Sequence, residues 1–148
     1  MPDSDRAVLA EDRERWARLG KGAQLDEWLE FGSGLMIRRR LAMRLAHTNV
    51  PRGARYAAEF AKLMRRDGID TRDKNTKMMM THVLWLHDKP ERLTILSERR
   101  EAMTSGERAR LNAPVSARQL VARVLKERAG NSATAAAPRD AAREAGRC

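Results

Sequence analysis

The stretch Pro51–Asp88, PRGARYAAEFAKLMRRDGIDTRDKNTKMMMTHVLWLHD, decides how this chain folds. Pro51 and Gly53 separate it from what precedes, and Asp67-Gly68-Ile69-Asp70 marks a turn inside it, because glycine and proline are the strongest local breakers. From Ala54 to Arg66 the residues Tyr56, Ala57, Phe60, Leu63 and Met64 recur at helical spacing, which puts them on one face of a helix. Arg55, Lys62, Arg65 and Arg66 fall on the other face, Arg52 lies just before it, and Glu59 is the only acid of the segment. The Tyr56–Phe60–Leu63 stripe reads as core rather than as a platform for stacked bases. The second helix of the pair is expected from Arg72 to His87, with Asp70 or Thr71 as its cap. Met78, Met79, Met80, Val83, Leu84, Trp85 and Leu86 cover most of its circumference, so it reads as largely buried. Lys74, Lys77 and Thr81 form its polar strip, with Arg72 and Asn75 in the first turn.

A helix, a short glycine turn and a second helix make the outline of a helix-turn-helix. The detail departs from it. With Gly68 as the turn glycine, Asp67 stands where an apolar residue is expected, and Lys74 and Lys77 occupy positions that usually pack inward. The hairpin is therefore helix-turn-helix-like, and base readout by Lys74, Asn75 and Lys77 is an expectation drawn from where a recognition helix presents its first turn.

Upstream, Leu35–Ala46 reads as a central helix, since its apolar residues spread nearly all the way round. Arg40 and Arg44 sit four apart on one edge and should emerge together. Arg38 and Arg39 fall among apolar positions; they can snorkel, pair with acids of residues 1–31, or point at a ligand. Gly32-Ser33-Gly34 interrupts the pattern between this helix and a shorter one over Leu25–Phe31. It reads as a kink or a close helix crossing, not as a phosphate cradle, which needs a longer glycine-rich loop between strand and helix. Residues 5–19 read as a charged helix capped by Ser4 or Asp5, with Gly20 and Gly22 at its stop.

Downstream, Pro90 suits the first turn of a helix. Thr104 and Glu107 form a capping box for a short one ending at Asn112-Ala113-Pro114. Ser116 is expected to cap a last helix, Ala117–Arg128, with Arg123 and Lys126 facing out, a second candidate for entering a groove. Residues 130–148 are Ala-rich without large apolar side chains and are expected to be disordered. With few β-branched and aromatic residues, the expected fold is all-α. It is a compact bundle of roughly six to seven short helices, covering 1–129 with an acidic part at 1–31 and a basic core at 35–128.

The charge is unevenly placed. The net charge is +10, yet residues 1–31 hold eight acidic and five basic groups, while residues 32–66 hold nine basic and one acidic. Such asymmetry is the footprint of a polyanion binder. No Ser/His/Asp order, HExxH, P-loop or CxxC pair is present. His82 and His87 are five apart and share a helix face poorly, so neither a metal site nor a cofactor is expected. The single Cys148 has no internal partner and no apolar run reaches the length of a spanning helix, which points to the cytoplasm and away from a membrane.

The run Trp28, Phe31-Gly32, Leu35, Arg39, followed by Tyr56, Phe60 and an acid–threonine turn into a helix, resembles small uncharacterised helical proteins of bacterial plasmids and phages. The resemblance covers about half the chain and implies a helix-turn-helix-like DNA-binding protein, such as a transcriptional regulator or accessory factor. The expected partner is double-stranded DNA, with a homodimer through the N-terminal helices. An adaptor or inhibitor docking its basic face on an acidic protein is the alternative.

Overall fold

The computed structural model describes residues 2–19, 24–69 and 73–147, with side chains through Asn131. Among them the chain is all-α, with seven helices and no strand: α1 (Asp3–Leu19), α2 (Leu25–Leu45), α3 (Ala54–Arg66), α4 (Lys74–His87), α5 (Pro90–Glu101), α6 (Ser105–Arg110) and α7 (Pro114–Arg147). None of the described helices is long and apolar enough to cross a membrane. The stop expected at Gly20 and Gly22, and most of the tail expected over 130–148, lie outside the residues whose side chains are described.

α2 is the axis. α1, α3 and α4 pack on it, and α4 passes the contact on to α5 and α7. The expected break at Gly32-Ser33-Gly34 does not occur; Leu25–Leu45 is one continuous helix. Gly32 and Gly34 are close helix crossings, the other of the two readings their spacing offers. A Cβ on Gly32 would strike His87 and Val83 of α4, and one on Gly34 would collide with Asp12 of α1. The N-terminus of α2 is held from a distance, since Asn112 Oδ1 accepts the Leu25 N–H at 3.2 Å.

Two apolar clusters result. Leu19, Trp28, Phe31, Leu35, Met64, Ile69, Met80 and Val83 form the first. Leu25, Leu86, Ile95, Leu96, Ala117, Val121 and Val124 form the second. Each Val, Leu, Ile, Phe or Met side chain so buried is worth about 1.5–3 kcal/mol. α2 and α4 contribute to both clusters, which ties the two halves together. Trp85 is flanked by two guanidinium groups, Arg92 at 3.9 Å and Arg118 at 4.9 Å from the ring centre.

Three helix starts differ from expectation. α1 begins at Asp3, where Pro2 O accepts the Asp5 and Arg6 N–H groups, so neither Ser4 nor Asp5 is the cap. α4 begins at Lys74, because Asp73 takes the Thr76 N–H at 3.2 Å and its hydroxyl at 2.8 Å. The expected caps Asp70 and Thr71 and the expected first-turn residue Arg72 lie outside the described residues. α7 begins at Pro114 rather than Ala117. The proline lacks an N–H that a first turn leaves unpaired anyway, so it starts the helix instead of ending the previous one. The Thr104–Glu107 capping box forms as expected.

Candidate nucleic-acid interface

α3 carries the basic face, and its termination explains how that face is held. Gly68, at φ 73°, occupies the left-handed position after the helix. Its N–H donates to Arg65 O and the Ile69 N–H to Met64 O, each at 3.0 Å. This is a Schellman closure, and Ile69 is buried in the first apolar cluster. Asp67, out of place for a helix-turn-helix, has a partner: Arg38 of α2 reaches its Oδ2 with Nε at 2.9 Å. The other end of the same guanidinium meets Asp12 at 2.6 Å. Of the readings open for Arg38, pairing is the one realised, and its side chain is wholly buried. Arg39 pairs with Asp88 at 3.0 Å.

With its base fixed, α3 turns Leu63 and Met64 inward and leaves Arg52, Arg55, Lys62, Arg65 and Arg66 exposed. Glu59 is drawn to Lys62 at 3.5 Å, and Arg66 lies 3.4 Å from Asp67. Arg52, Arg55 and Arg65 make no ion pair among the described residues, so their charge is available to a ligand. Lys74, Asn75 and Lys77 are exposed at the start of α4. The Thr76 hydroxyl and N–H hold the Asp73 carboxyl below its ordinary pKa, so it sits ionised on the α4 N-terminus and occupies the place a phosphate would take there.

The remaining candidates do not share this face. Arg40 and Arg44 are exposed on α2, but Arg40 follows Arg38 by two residues, about 200° of rotation, and Arg38 is the residue that points toward the end of α3. Arg123 and Lys126 are exposed on α7, which packs on α4 and α5 around the second cluster. Residues 67–73 separate α3 from α4, against roughly three or four residues in a helix-turn-helix. Of the apolar residues of 1–31, Leu19, Leu25, Trp28 and Phe31 are buried in the chain's own core, while Leu9 and Trp16 stay partly exposed.

One surface is not legible in the sequence. Tyr56 and Phe60 are only half-buried, and their rings stack at 5.8 Å along one wall of an open groove of about 370 Å³ between α3 and α4. Burial raises the Tyr56 hydroxyl pKa, with the charge of Arg39 acting against it. The apolar arc of α3 suggests only that something covers it; that α4 forms the facing wall of an open groove along it depends on both helices docking on α2.

Among the described residues no three His, Cys, Asp or Glu side chains come together as metal ligands. No protein-family model matches the chain, and no curated protein or solved structure is significantly similar to it.

Proposed function

We propose that this chain is a non-enzymatic protein that binds double-stranded DNA through its phosphates, in the manner of a transcriptional regulator or a plasmid or phage accessory factor. The observation that carries the reading is the charge of Arg52, Arg55 and Arg65, exposed and without an ion pair among the described residues, while nearby acids are consumed internally by Arg38 and Lys62. Lys62 and Arg66 lie on the same side of α3, and Lys74 and Lys77 add exposed charge at the start of α4. Binding of this kind releases counterions, so affinity falls steeply with salt, about 0.9 in logarithmic slope per phosphate neutralised on a duplex. The expected residence is the cytoplasm.

The test is fluorescence anisotropy with labelled duplex DNA, single-stranded DNA and duplex RNA at two salt concentrations. Saturable duplex binding with a salt slope of about three or more supports the reading. Undetectable duplex binding at low salt removes it and leaves the acidic-protein adaptor as the reading of the same face.

A further inference from the structure

α3 and α4 both rest on α2, and an open groove lined mostly by apolar side chains lies between them. Tyr56, Phe60 and Met64 line one wall at successive turns of α3, and Met80 and Leu84 line the other, with Lys77 at the edge. Ala57 and Ala61 lie between the larger residues of α3. Small side chains at that spacing let another backbone approach closely, and flexible methionines adapt to what enters. These are the features of a surface that receives the apolar stripe of a helix. The groove spans from Tyr56 to Met64, about 12 Å of helix rise, which matches anchors at i, i+3, i+4 and i+7 of an incoming helix.

Charge selects the occupant. Among the described residues that line the groove Lys77 is the charged one, with no carboxylate beside it, and Lys74 lies one turn before it on α4. We propose that this groove docks an amphipathic helix of a partner protein whose polar face is acidic. The site is separate from the DNA-facing side of α3, because Lys62 follows Phe60 by two residues and lies about 200° round the helix. A bound helix would bury apolar side chains against Phe60 and Met80 while its carboxylates meet Lys77 and Lys74. The proposal does not need DNA binding to be correct.

The probe is a stapled, fluorescein-labelled helical peptide with Leu at i, i+3, i+4 and i+7 and Glu over its remaining surface, compared with a twin in which every Glu is Lys. The full chain is expected to bind the acidic peptide saturably and at least about tenfold more tightly than the basic twin. The methyl resonances of Met64, Met80 and Leu84 should shift in two-dimensional NMR. Ala61→Glu and Lys77→Glu should each weaken the complex at least about tenfold with unchanged circular dichroism; Lys77 is exposed, so its replacement keeps the test open if Ala61→Glu unfolds. Equal affinity for the two peptides, no saturable binding, or indifference to Lys77→Glu overturns the proposal. So does a shift of the same methyls by duplex DNA, which would assign the groove to nucleic acid.

Discussion

Nη1 of Arg38 lies 2.6 Å from Oδ2 of Asp12, with both side chains fully buried. The pair sits in a longer chain of charge, since Arg15 donates to the other Asp12 oxygen at 3.2 Å and Arg38 Nε to Asp67 at 2.9 Å. Removing one partner of such a pair leaves an uncompensated buried charge and costs about 3–5 kcal/mol. Arg38→Met should therefore lower the unfolding free energy in urea by about that amount. Asp12→Leu combined with Arg38→Met should recover most of the loss. A double variant as unstable as the single would mean that the pair contributes more than mutual neutralisation.

The glycines should divide by what surrounds them. Gly34→Ala drives a Cβ into the Asp12 carboxylate, and overpacking of this kind costs about 1–3 kcal/mol. Gly106→Ala, in α6, meets nothing within 4 Å and should raise stability by up to about 1 kcal/mol through helix propensity. His47 holds a positive φ of 53° at the end of α2, so His47→Gly should also stabilise, by roughly 0.5–1 kcal/mol. Thermal melts followed by circular dichroism distinguish the three.

Mild acidification should weaken the fold through two histidines. Burial lowers the pKa of His87, although its Nε2–H donates to Leu29 O at 2.8 Å and pulls the other way. His82 is lowered by burial and by Arg118. The unfolded imidazoles bind protons near their ordinary value, about 6.5, while the folded ones resist. The unfolded state then holds more protons, so stability is full above about pH 6.5 and falls as pH drops below it. Asp26, whose pKa is lowered chiefly by its hydrogen bond from Arg100, contributes its own loss only at more acid pH. Urea midpoints between pH 7.5 and 5 should show the decline, and His87→Asn should flatten it relative to its own value at high pH.

Cation replacements should separate the faces. Arg55→Ala, Lys62→Ala and Arg65→Ala together should reduce the salt slope of duplex binding by up to about 2.7, at about 0.9 per lost phosphate contact. Arg40→Ala with Arg44→Ala, or Arg123→Ala with Lys126→Ala, should leave it nearly unchanged, because those residues stand on other sides of the bundle. Anisotropy titrations across a salt series read each slope. Equal losses from all three sets would indicate diffuse attraction to net charge rather than a defined face.

Local signals in the chain are strong where one segment decides the outcome. The limits of α3 and the Thr104–Glu107 box follow from spacing and capping chemistry within a few residues. The basic face of α3 is legible for the same reason. The misread places are those where a distant segment intervenes. The glycines of α2 read equally as a kink or a close crossing until Asp12 and His87 fill the notches and decide for the crossing. Asp67 looks anomalous in a turn until Arg38 arrives from α2. Pro114 reads equally well as a stop and as a start, and Asp73 competes with two equally good caps one turn earlier. The groove at Tyr56 and Phe60 depends on the angle between two helices, which no single segment encodes.

Gly32 and Gly34 have a consequence for cooperativity. Glycine disfavours a helix interior by about 1 kcal/mol relative to alanine, so two glycines flanking Ser33 make the middle of α2 its least autonomous part. Helix propagates through residues 32–34 because His87 and Val83 on one side and Asp12 on the other occupy the space side chains would have taken. Local helix formation and long-range assembly become one event there. α1 cannot detach without loosening the rod on which α3 stands, so a helix on the acidic flank of the molecule governs the rigidity of its basic one.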